Sequence, residues 1–178
     1  CKKKIWVFMK IINKFFSFLL LVVFSQISYA GDSPTLPTNA LGFVKVEEVA
    51  NKGFRQVVYA RENQALSVIY NFSRSFNFKN VLMSEVKNLR EIHNQPSGDI
   101  KYYSSKKLES MGSLFDAVLF SDFSKEGEKR FDITALSNKE NELIKIRFTG
   151  LKSEDLNRDF KNAMIISEAI LTNLLKNN

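Results

Sequence analysis

Residues 115–123 (FDAVLFSDF), 130–136 (RFDITAL) and 143–149 (LIKIRFT), followed from Glu154 by a long run of helical periodicity, decide how this chain folds. Each of the three segments is rich in aromatic and β-branched residues, and a short polar turn separates each from the next. That is the pattern of successive strands. In the second, Phe131, Ile133 and Ala135 alternate with Arg130, Asp132 and Thr134; in the third, Ile144, Ile146 and Phe148 alternate with Lys145, Arg147 and Thr149. Alternation with a period of two predicts one buried face and one wet face, hence an antiparallel sheet. Pairing around the polar turn 137–142 (SNKENE) sets Ile133 opposite Ile146, Phe131 opposite Phe148, and Asp132 opposite Arg147 on the wet face. A slip of one residue would turn every side chain of a strand over, so the register is sharply specified.

The closing helix is expected to roof the buried face. Leu156, Phe160, Met164, Ser167, Leu171 and Leu174 form its apolar stripe, widened by Ala163, Ile170 and Leu175,. Ser153 is the expected N-cap, with Glu154 and Asp155 placed favourably against the helix dipole,.

Upstream, strands are expected at 43–48, 54–61 and 65–72, with turns at 51–53 and 62–64,. Residues 73–80 (SRSFNFKN) read as a loop that carries Phe76 and Phe78. Leu82, Val86, Leu89 and Ile92 are spaced for a helix over 81–93, capped by Asn80 and ended by Pro96 and Gly98,. A further strand is expected over 100–108 (IKYYSSKKL). Three strands, a helix, four strands and a helix make an α+β fold. It is a central antiparallel β-sheet of about six or seven strands, with an internal helix and a long C-terminal helix packed on it. No internal repeat or second linker interrupts residues 41–178, which read as one domain behind a flexible leader, 31–40, containing Pro34 and Pro37.

The first thirty residues have a different character. Lys2, Lys3, Lys4, Lys10 and Lys14 stand without any acid before an apolar run, 15–24 (FFSFLLLVVF), and a polar stretch that ends at Ala30. A basic head, a short apolar middle and a small residue at the end form the pattern of a secretory signal peptide. The run is about half of the ~20 residues a membrane-spanning helix needs, so no stable anchor is expected after cleavage. Met9 opens a complete signal by itself, MKIINKFFSFLLLVVFSQISYA, and the true start is expected there. The destination is the periplasm or the exterior.

Cleavage after Ala30 changes the electrostatics. The whole chain carries a net charge of +7, but five lysines leave with the leader, and 21 basic against 19 acidic residues remain, a net of +2. No basic stripe of the kind that phosphate backbones require is left, so nucleic acid is not an expected partner. Cys1 is the only cysteine, so the exported part folds without disulfides and must rely on an ordinary core; 148 residues suffice for that,.

The same absence removes thiol catalysis and cysteine-ligated metal sites. His93 is the single histidine; it reads as a helix-end residue in contact with the dipole rather than the base of a triad,. Phosphate-binding glycine motifs are absent. Glu126-Gly127-Glu128 reads as a hairpin turn rather than a calcium loop,. No catalytic residue, metal ligand or cofactor is assigned. Two features suggest an interaction surface: the aromatic pair Phe76 and Phe78 in a polar connection, and Lys101, Tyr102 and Tyr103, which with Lys106 and Lys107 form a basic and aromatic patch,.

The segments GFRQVVYARENQALSVIYNF (53–72), LIKIRFTG (143–150) and SEDLNRDFKNAMIISEAILTNLL (153–175) resemble small exported bacterial proteins of the PsbP-like and DcrB-like type. The resemblance covers most of residues 41–176 and implies an antiparallel sheet with helices on its faces. It also implies an accessory role rather than an enzymatic one, and it carries over no site residue. The expected function is that of an exported, soluble, non-catalytic binding or accessory protein whose partner is a protein or envelope component, met through the sheet face or through residues 73–80 and 100–107. The alternatives are a carrier of a small apolar ligand and a hydrolase using paired carboxylates, which requires two acids roughly 5–10 Å apart in a cleft.

Overall fold

In a computed structural model of the chain, the described residues are 39–51, 53–71, 76–92, 100–139 and 142–176. The leader through residue 38 and His93 lie outside them. The seven expected strands are present and all neighbours run antiparallel. They are β2 (Phe43–Asn51), β3 (Phe54–Arg61), β4 (Gln64–Asn71), β5 (Lys101–Ser104), β6 (Ala117–Lys125), β7 (Glu128–Lys139) and β8 (Glu142–Leu151). A two-residue β1 (Asn39–Ala40) folds back on β2 from within the expected leader, giving the order β1-β2-β3-β4-β8-β7-β6-β5. Helix α1 (Phe78–Ile92) follows β4, a short α2 (Ser105–Glu109) follows β5, and α3 (Leu156–Lys176) closes the chain.

The alternating residues sort to two faces. Ile133, Ile146, Phe148, Val68, Leu66 and Tyr59 belong to the main core, where Ala163, Met164, Ile170 and Leu171 of α3 join them. Each fully buried aliphatic side chain of this kind stabilises the fold by about 1.5–3 kcal/mol relative to exposure. Phe160 fastens α3 to the far end of the sheet, stacked on Tyr103 at 4.7 Å and edge-on to Phe120 at 5.5 Å.

The other face is not wet. Asp132, Thr134 and Leu136 alternate with the core residues of β7, yet all three are buried. Helix α1 lies on this side, with Phe76, Phe78, Val81 and Leu82 packed against Ala117, Leu136 and Leu143. Lys145, expected in solvent, instead donates to Glu85 of α1 at 2.8 Å. Two-sided cover was hidden in the sequence because polar residues that find partners can be buried as well as exposed.

The last hairpin closes two residues away from its expected register. Lys139 pairs with Glu142, the last pair of this ladder among the described residues. Ile133 then opposes Phe148, Ala135 opposes Ile146, and Asp132 opposes Thr149. A shift of two keeps every side chain on its own face, which is why the buried set is as expected while the pairs are not. The uniformly polar stretch 137–142 carries no signal that fixes the register.

Three local expectations also change. Helix α1 begins within the expected loop 73–80, capped by Asn77, whose side chain accepts from the backbone of Asn80 at 3.2 Å. The strand expected over 100–108 is only four residues long, because the chain turns into α2 and drops Leu108 into the core. At α3 the cap is Asp155, which accepts from the backbone N–H groups of Asn157 and Arg158 at 3.1 Å. Ser153 instead supports the cap from outside the helix, donating to Asp159 at 2.8 Å. The β6–β7 connection is the expected hairpin turn, with Glu126 at φ 52 and Gly127 at φ 82, the left-handed pair a two-residue hairpin requires,.

Candidate functional site

The two ends of the sheet differ. At one end β2 carries a bulge between Lys45 and Glu47, two adjacent acids, and the short β1 over Phe43 and Val44. Bulges and charges of this kind keep an edge from pairing with other chains. Lys45 and Arg55 both bond Glu48 there, and these bonds, Lys45 first, hold its carboxyl below the usual carboxylate range. At the other end β5 is a four-residue strand paired to β6 without a break in register. Among the described residues nothing pairs with its outer side.

Beside this plain edge lies a groove of about 410 Å³ between β5 and the flank of α1, lined by Leu82, Met83, Val86, Lys87, Arg90 and Tyr102. Its geometry follows from two periodicities. Helix positions 82, 83, 86, 87 and 90 lie along one side of α1, next to the stripe that packs on the sheet. Tyr102 pairs with Leu119 and so shares the α1 side of the sheet. The groove exposes large apolar groups, with Met83 at 63% and Tyr102 at 53% of their full accessibility. Of its two cations, Lys87 stands 3.7 Å from Glu91 in a loose, exposed pair of the kind that contributes at most ~0.5 kcal/mol,.

The five residues singled out from the sequence separate. Tyr102 lines the groove. Lys101 and Tyr103 point to the opposite face, Lys101 lying 5.9 Å over the ring of Phe120 and Tyr103 stacking on Phe160. Phe76 and Phe78 are half-buried against Ala117, Leu136 and Leu143 and serve to seat the start of α1. Met83, Val86, Lys87 and Arg90 were not singled out as site residues. The available signal was Met83, a large apolar residue next to Leu82 and so off the stripe Leu82–Val86–Leu89.

A second cleft, of about 280 Å³, opens between α3 and the main sheet face, with Phe131, Phe148, Ile165 and Ile166 among its apolar walls. Arg61, Gln64, Asp159 and Asn162 supply its polar groups. Arg61 lies 4.4 Å over Phe43 and donates to Gln64 and to the carbonyl of Leu41, while Asp159 is held by Ser153. These groups are engaged in supporting the fold. Asp159 is the single carboxylate in this cleft's lining, and the α1–β5 groove has none. Among the described residues, no three metal-ligating side chains gather, and no helix is long and apolar enough to cross a membrane.

Comparison with models of known protein families gives no match, and comparison with curated protein sequences gives none either.

Proposed function

We propose that this chain is an exported, non-catalytic binding protein of the cell envelope, and that the groove between α1 and β5 receives an apolar segment of an envelope protein flanked by acidic residues. The observation that carries the reading is the groove's composition: exposed Met83 and Tyr102 and half-buried Val86 beside the cations Lys87 and Arg90. Exposed apolar patches rimmed by polar residues mark interaction sites, and the sign of the rim selects the partner's charge. The signal-like segment 9–30 supports an envelope location,.

The test is a pair of synthetic peptides with one apolar centre and either Asp/Glu or Lys flanks. The acidic peptide is expected to bind the wild-type protein and the basic one to bind the double variant Lys87→Glu/Arg90→Glu. Equal binding of both peptides to both proteins, or none up to millimolar concentration, contradicts the proposal. N-terminal sequencing of the exported protein is expected to begin at Gly31.

A second reading, a carrier of a small apolar ligand, draws support from the α3 cleft, where Phe131 and Phe148 stack 5.8 Å apart. At about 280 Å³ the cleft lies just below the usual ~300–1,000 Å³ of ligand pockets,.

A further inference from the structure

We infer that the partner binds by strand addition, pairing its backbone with the outer edge of β5 so that alternate side chains enter the α1–β5 groove. The inference rests on the proposed groove and adds the mode of recognition. An edge strand presents a row of backbone N–H and C=O groups that another chain can pair with. The β2 end of this sheet is guarded against that by a bulge, by Glu47 and Glu48, and by β1. The β5 end has an unbroken register and neither proline, bulge nor acid in Lys101–Ser104; its guards are its four-residue length and Lys101, whose side chain is turned over Phe120 on the opposite face from the groove,. The groove adjoins this end, whose outer side is unpaired among the described residues.

The geometry of an added strand explains why edge and groove occur together. A strand laid outside β5 would run about 4.7–4.9 Å beyond it, with its side chains alternating between the two faces. Those on the face that Tyr102 shares would lie beside the Tyr102 ring and against Leu82, Met83 and Val86. A carboxylate one pleat further on the same face would reach Lys87 or Arg90. Those on the opposite face would meet Lys101 and Tyr103, which are already turned toward Phe120 and Phe160. Recognition would therefore read every second residue of the partner: apolar side chains, with an acid in step. This is the division of labour of strand addition, in which backbone bonds contribute affinity and pockets for alternate side chains contribute specificity.

The test uses the acidic peptide and a scan in which each of its backbone nitrogens is methylated in turn, which removes one N–H donor without changing side chains. Strand addition predicts a two-residue rhythm. Methylation at positions whose N–H faces β5 weakens binding by about tenfold or more, and methylation at the intervening positions leaves it nearly unchanged. Amide hydrogen exchange in residues 101–104 should slow in the complex. A peptide whose binding is lost in the Met83→Glu variant but is indifferent to methylation overturns strand addition and leaves the groove reading standing. A peptide that does not bind the wild-type protein overturns both.

Discussion

Arg147 of β8 reaches diagonally to the carboxylate of Asp132 on β7, while Thr149, the residue directly opposite Asp132, donates to the same carboxylate. Asp132 has no exposed surface, and the Arg147 side chain keeps only 16%. The pair ties β7 to β8 on the face that α1 covers. Removing one member strands the other charge in low dielectric. Asp132→Ala is expected to cost about 3–5 kcal/mol, read as a lower midpoint in urea. The double variant Asp132→Leu/Arg147→Met should recover most of that loss, because it leaves no buried charge to solvate.

Gly150 lies tight against two core rings. A β-carbon there would stand 3.1 Å from both Phe131 and Phe148. Gly150→Val should therefore destabilise by about 1–3 kcal/mol through overpacking. Combining it with Phe131→Leu should return part of the loss, which thermal melting of the single and double variants would measure.

The phenol of Tyr59 is pushed up to about 12, chiefly by burial and next by the nearby Glu48 carboxylate. Above its ordinary value near 10 the unfolded chain ionises while the folded one keeps its proton. The contribution of Tyr59 is thus constant below pH 10 and is lost as pH rises from about 10 to about 12, by something on the order of 3 kcal/mol,. The loss across this window should be smaller in Tyr59→Phe than in the wild type when urea midpoints are compared at each pH.

Glu48 works in the opposite direction. Its carboxyl is lowered by the bonds from Lys45 and Arg55, so the stability it contributes is present above the ordinary carboxylate range. That contribution is lost as pH falls through its folded-state value. Glu48→Gln should be less stable than the wild type at pH 7, and the difference should shrink on acidification, as paired melting curves would record.

The alternation in residues 130–136 and 143–149 was enough to read the sheet, because a period of two follows from the pleat itself. The pairing was not, since Ser137–Glu142 is polar throughout and any of its central residues can turn. The second buried face escaped for a related reason. Asp132, Thr134, Lys145 and Arg147 look like solvent residues until Glu85 and α1 are placed over them. Of the candidate surface, Tyr102 was legible as an exposed aromatic on an edge. Its neighbours in the groove come from a helix twelve or more residues earlier in the chain, and only the fold brings Met83, Lys87 and Arg90 beside it.

The account turns most directly on where an acidic amphipathic peptide settles, which backbone amide spectra of the isotope-labelled protein can map during a titration. Saturable changes confined to residues 82–90 and 101–104, abolished by Met83→Glu, are the predicted result. Changes centred on Arg61–Gln64 and Asp159–Ile166, or none at saturating peptide, would contradict it.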